Sequence, residues 1–82
     1  MHGYDTEEQA RADAAEMIER GRETWELGAN ARQVRADYLA AALIDAGIEL
    51  GAYDAQIIGW LSGWEPETVQ VIIRWIEQAH HA

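Results

Sequence analysis

Residues 54–79 read DAQIIGWLSGWEPETVQVIIRWIEQA, and this stretch decides the fold. It divides into two apolar helical segments on either side of Ser62-Gly63, and the residues at the join have mechanical reasons to be there. A glycine after Ser62 lets the chain reverse at positive φ. Pro66 suits the first turn of the following helix, where its missing N–H would be unpaired in any case. Ile58 and Gly59 supply an apolar and a small position before the turn, and Trp64, Val69 and Ile72 supply three apolar positions after it.

Laid on a twenty-residue frame with Gly63 as the turn glycine, this pattern resembles the helix-turn-helix superfamily. Its core WLSGWEPETV, Trp60 to Val69, is similar to that of small helix-turn-helix-like proteins of high-GC bacteria and their phages. The resemblance covers about a third of the chain. It departs from the superfamily pattern at Ser62, where an apolar residue is usual, and in the acidic start of the second helix. It implies a second helix whose N-terminal part enters the major groove, with Glu65, Pro66, Glu67, Gln70, Val71 and Arg74 aimed outward. Gln70 and Arg74 are the residue types that read adenine and guanine, and Arg32 and Arg35 would serve as backbone contacts. Glu65 and Glu67 oppose that role, because they would sit close to phosphates. They also have a plain explanation, since carboxylates favour the positive end of a helix dipole.

Working outward, helical spacing organises the rest. Asp5 or Thr6 caps a first helix, with Glu8 or Gln9 placed to complete a capping box, and the helix runs to about Glu26 before Gly28. Its apolar stripe is Ala10, Ala14, Met17, Ile18, Gly21 and Trp25. Glu7 with Arg11 and Glu16 with Arg20 stand at the favourable i,i+4 order, while Glu19, Glu23 and Glu26 leave the helix net acidic. Asn30 caps a second helix through Val34, Tyr38, Leu39, Ala42, Leu43 and Ala46, stopped by Gly47. The run Leu39-Ala40-Ala41-Ala42-Leu43 is apolar around most of the cylinder, which places this helix at the centre of the domain rather than in a dimer seam. A short third helix starts at Tyr53-Asp54 with Asp54 as its cap and ends at Ser62-Gly63. A fourth runs from Pro66 to about His80. The expected fold is all-α: one domain over 1–82 made of four helices, an acidic helix over 5–27 and a three-helix unit over 30–80 with a helix-turn-helix-like C-terminal half.

Composition narrows the function. Eighty-two residues, 49% hydrophobic, make one small globular domain. Much of that fraction is alanine, so the heavier anchors are Trp25, Trp60, Trp64, Trp75, Tyr38 and Tyr53. Cysteine is absent, which excludes disulfides and thiolate metal sites. The longest uncharged apolar run, residues 39–44, is far too short to span a bilayer, and the start of the chain is acidic, so a soluble cytoplasmic protein is expected. Fifteen acidic residues against six arginines and no lysine give a net charge of −9. At long range such a chain is repelled by phosphate and anionic membrane and attracted to basic surfaces.

Nothing in the pattern supports catalysis. The single serine, Ser62, sits in a tight turn without a histidine nearby, and His2, His80 and His81 lie at chain ends where rigid geometry is hard to hold. Glu77 and His81 are spaced for a metal only if the last turn persists, and the chain has no zinc spacing. No catalytic residue, cofactor or metal is expected.

The last helix is apolar nearly all round. Val69, Ile72, Ile73 and Ile76 serve the core, leaving Val71 and Trp75 on another side. A domain this small cannot hide them all, and leftover Trp and Val surface marks protein contacts. The expectation is a non-enzymatic module acting by protein–protein interaction, as regulator, inhibitor or oligomerising adaptor. Its interface is Trp60, Trp64, Val71, Trp75, Glu65 and Glu67; its partner is basic, and it is itself a homo-oligomer. The alternative is a dimeric, sequence-specific DNA-binding transcriptional regulator using Gln70, Arg74, Arg32 and Arg35, a role the charge disfavours.

Overall fold

The computed structural model describes residues 2–26 and 31–81, with side chains for 2–23 and 31–80. The expected cap at Asn30, the break at Gly28, the packing of Trp25 and the Glu77–His81 pair lie outside those residues. The described residues are all-α but form five helices rather than four: α1 Glu7–Asp13, α2 Ala15–Glu26, α3 Ala31–Asp45, α4 Ala52–Leu61 and α5 Pro66–His81.

The extra helix arises at Ala14, where the expected single N-terminal helix bends. Ala14 has φ −84° and ψ 0°, in the sparsely used bridge region, yet it keeps helical bonds on both sides, Ala14 N–H to Ala10 C=O at 3.0 Å and Ile18 N–H to Ala14 C=O at 2.9 Å. The helix is bent, not cut. Its two halves have different partners, α1 packing on α5 and α2 on α3. Ala14 is completely buried at the bend, where a larger side chain has no room.

The starts and stops follow local chemistry. Thr6 caps α1 by accepting the Gln9 amide at 3.2 Å, and the Gln9 side chain accepts the Asp5 amide at 2.8 Å, one residue earlier than in a standard capping box. Gly47, at φ +83°, ends α3 in a Schellman motif: Ile48 N–H reaches Leu43 C=O at 3.1 Å and Gly47 N–H reaches Ile44 C=O at 2.9 Å. Asp54 does not cap α4 from outside, as the sequence suggested. It lies in the first turn, and its carboxylate accepts the Gly51 amide at 2.8 Å, so Gly51 is the cap position.

The turn between α4 and α5 also differs from expectation. Gly63 is not at positive φ; among the described residues only Gly47 is. The chain reverses through consecutive tight turns, Gly63 N–H to Trp60 C=O and Trp64 N–H to Leu61 C=O, both at 3.1 Å. Glycine is needed at 63 for approach instead, because a Cβ there would sit 3.3 Å from the Trp60 carbonyl and 3.5 Å from the Arg32 guanidinium. Ser62 is buried and its hydroxyl donates to Ile58 C=O at 2.6 Å, the helix-end role its position implied. Pro66 opens α5 with Glu65 as the cap residue, whose carbonyl accepts from Thr68 and Val69.

α3 is the central helix, touching α2, α4 and α5. Leu39 lies at its middle in a core completed by Ala14, Met17, Ile58, Val69 and Ile73, with Ile72, Ile76, Leu43 and Leu61 packed around it. The Arg20 guanidinium lies 5.8 Å from the centre of the Tyr38 ring and clamps α2 to α3. The chain measures 39 × 33 × 17 Å, so it is about two helix layers thick in its short direction. A slab this flat leaves large side chains outside: Tyr53 is 72%, Trp75 62%, Trp60 60% and Trp64 50% exposed. The described tryptophans are therefore surface residues rather than the expected anchors.

Two substitutions test this packing. Leu39→Ala should cost about 2–5 kcal/mol, a large share of the stability of a small domain. Arg35→Met should cost about 1–3 kcal/mol, because Arg35 Nε donates to the Ser62 carbonyl at 2.6 Å and no other donor replaces it. Urea unfolding followed by circular dichroism measures both.

Candidate functional site

The outer side of α5 is covered in part, with Trp75 still exposed. The N-terminal segment runs along it. Gly3 lies against Gln78, and the Tyr4 hydroxyl accepts from Gln70 Nε2 at 3.0 Å and donates to Asp13 at 2.8 Å. Arg74 lies over the Tyr4 ring, 5.0 Å from its centre, and pairs with Asp13 at 3.5 Å. Farther along, Arg11 bridges Glu7 at 3.1 Å and Glu67 at 2.9 Å. Burial and the Asp13 hydrogen bond raise the Tyr4 pKa above its ordinary 10.0, against the opposing influence of Gln70 and Arg74.

The residues named for DNA contact are thus engaged within the chain. Gln70 and Arg74 serve Tyr4 and Asp13. Arg32 Nε donates to the Gly59 carbonyl at 2.9 Å, and Arg35 Nε to the Ser62 carbonyl. These two arginines brace the end of α4, where unsatisfied carbonyls and the negative end of the helix dipole attract a cation. Burial, and after it the neighbouring Arg32 charge, lowers the Arg35 pKa from its ordinary value. Their sequence signal was ambiguous, because an arginine at the start of one helix can brace another helix or meet phosphate equally well.

The residues named for protein contact fall on two surfaces. Trp60 and Trp64 meet edge to face, with ring centroids 6.2 Å apart, beside the α4–α5 turn. Trp75 stands in a groove between α1 and α5. Ala10, Val71 and Ile72 form the apolar part of that groove, and Tyr4, Thr6 and Thr68 also line it. Asp5, Glu7, Glu65 and Glu67 supply four carboxylates against the single guanidinium of Arg11, around a space of about 910 Å³. Asp5 and the Tyr4 wall were missed in the sequence reading, because only the fold brings residues 4–11 beside residues 65–75.

The two glutamates of the helix start behave differently. Glu67 has only 12% of its side chain exposed and is held by Arg11. Its own backbone amide first, and then Arg11, lower its pKa below the ordinary 4.5. Glu65 is exposed, and its carboxylate receives a long contact from the Thr68 hydroxyl at 3.4 Å.

Among the described residues no group of His, Cys, Asp or Glu is arranged to hold a metal, and no described helix is long and apolar enough to cross a membrane.

Because Glu67 is more acidic folded than unfolded, its ionised form contributes stability above the unfolded pKa, and that contribution is lost as pH falls from 4.5 through the lower folded value. Glu67→Gln should therefore be less stable than the native chain at neutral pH, with a shallower loss of stability on acidification below about pH 5. Urea titrations of both proteins across that range measure the difference. The chain matches no family model, no curated protein and no solved structure.

Proposed function

We propose that this is a non-enzymatic, cytoplasmic module on a helix-turn-helix-like scaffold. It acts by protein–protein contact, and the groove between α1 and α5 receives a basic, amphipathic segment of its partner. One observation carries the reading: an exposed Trp75 stands at the edge of an apolar floor within a ring of four carboxylates relieved by one guanidinium. Basic residues of the partner would approach Asp5 and Glu65, and one of them would lie over the Trp75 ring, a cation–π contact that gains strength as water leaves. An apolar neighbour on the same segment would cover Val71 and Ile72. The net charge of −9 steers such a segment from a distance and holds nucleic acid off.

Supporting the non-enzymatic part, the one serine hydroxyl is buried and donated to a carbonyl. Nothing favours the DNA-reading alternative. Gln70, Arg74, Arg32 and Arg35 all have partners inside the chain, and releasing the first two would also uncover Glu67 beside the phosphates.

The test is a nuclear magnetic resonance titration with a helical peptide alternating leucine and lysine faces, beside a control with glutamate in place of lysine. The basic peptide should shift the amides of residues 5–11 and 65–75, bind with an affinity that weakens between about 50 and 200 mM salt, and lose about tenfold or more in affinity with Trp75→Ala. The acidic control should leave the spectrum unchanged. Binding of both peptides alike, or of neither, overturns the reading. In fluorescence anisotropy, mixed-sequence duplex DNA should give no change even at about 50 mM salt; steep salt-dependent binding would restore the regulator.

A further inference from the structure

The Trp75 groove leaves a second apolar surface without a role. On α4, Tyr53, Ile57 and Trp60 recur at intervals of four and three residues and so share one face of the helix. Trp64 prolongs that face through its ring contact with Trp60. All four side chains are exposed. Beside them, Ile48, Tyr53 and Ile57 flank a cleft of about 300 Å³ that Leu43, Leu50, Ile58 and Leu61 also line. None of the four stripe residues belongs to the groove between α1 and α5.

We propose that this stripe is a self-association surface, on which two copies of the chain meet with their α4 helices antiparallel. Charge singles out the face. Two chains of −9 repel each other, so a second copy can approach closely only where carboxylates are few. Asp54 is the one charged residue of α4, and its carboxylate is turned back onto the Gly51 amide. A basic partner, by contrast, meets fewer carboxylates here than in the acidic groove and is drawn to the latter.

Register supports a twofold contact. Ile57 lies between Tyr53 and Trp60, which stand about 6 Å and about 4.5 Å from it along the helix at 1.5 Å per residue. A twofold axis at Ile57 therefore lays Tyr53 of each copy on Trp60 of the other, makes the contact isologous, and opposes the two helix dipoles. Area is sufficient. Aromatic side chains carry about 150–250 Å² each, and the exposed parts of Tyr53, Trp60 and Trp64 with Ile48 and Ile57 amount to on the order of 500 Å² per copy. Two copies together then reach about 1,000 Å², the lower bound of a specific interface, which corresponds to a weak, reversible dimer.

This inference does not depend on what occupies the Trp75 groove. Sedimentation velocity on the full chain, from about 10 μM to about 1 mM, should show a reversible rise from the monomer mass of 9.2 kDa towards twice that value. Added salt should strengthen association by screening the like charges. Ile57→Glu sets two carboxylates across the axis and should raise the dissociation constant at least about 100-fold. Trp60→Ser weakens the contact without adding charge and serves should the first variant lose its helical circular dichroism. Trp75→Ala should dimerise like the native chain, whether or not it binds the basic peptide. A native chain that stays monomeric throughout that range overturns the proposal, as does a dimer that persists in Trp60→Ser but dissociates in Trp75→Ala.

Discussion

The seating of Tyr4 and α1 along α5 is the contact on which the rest of the molecule depends. Tyr4 accepts from Gln70, donates to Asp13 and lies beneath Arg74, while Arg11 reaches Glu67. Each of these links is a modest interaction at a partly wet surface, worth little on its own. Together they fix the direction in which the N-terminal segment leaves the domain. Because α1 must lie on α5 while α2 lies on α3, the helix between them has to bend, and it does so at the fully buried Ala14. The same seating consumes the two side chains best suited to read bases and forms one wall of the groove around Trp75.

Thinness follows from composition and governs which surfaces remain. The fully buried positions include Ala14, Leu39, Ser62 and Val69, mostly small or medium residues that let helices approach closely but enclose little volume. With a short dimension of only 17 Å, there is no third layer to take in large rings. Exposed tryptophan on two separate surfaces is the consequence. An apolar surface of that size is costly to leave in water, which supports the proposed contact with other proteins.

Where a local rule sufficed, the sequence was legible. Pro66 at the first position of α5, Gly47 ending α3, Thr6 capping α1 and the hydroxyl of Ser62 at a helix end all follow from the chemistry of one or two residues and their neighbours. The division of α5 into a core side of Val69 and Ile73 and an outer side of Val71 and Trp75 followed from periodicity alone. What failed needed knowledge of the tertiary partners. No proline or glycine marks the bend at Ala14, so the apolar stripe passes through it unbroken. Gly63 is favoured by the close Trp60 carbonyl rather than by its own dihedral, and Arg32 and Arg35 are claimed by carbonyls 27 residues away. The exposed tryptophans on two separate surfaces could not be told apart in the sequence, because residues 5–7 join the groove around Trp75 only through the fold.

Glu65 and Glu67, which first set the charge of α5 against its motif, come apart once that fold is known. Both favour the positive end of a helix dipole, and for Glu67 that explanation is nearly complete: its own amide and Arg11 hold it, and little of it remains exposed. Its charge belongs to the fold and is mostly spent before any partner arrives. Glu65 stands one step outside the helix, exposed, and the Arg11 guanidinium that shares its groove is bonded to Glu7 and Glu67 instead. Asp5, which faces His2 at 3.5 Å, belongs to the acidic rim of the same groove. A surface ion pair gains little unless water is displaced from around it, and here the displacing surface is the Trp75 ring and its apolar floor. Charge would bring a basic segment to this groove, and burial against Trp75 would hold it there.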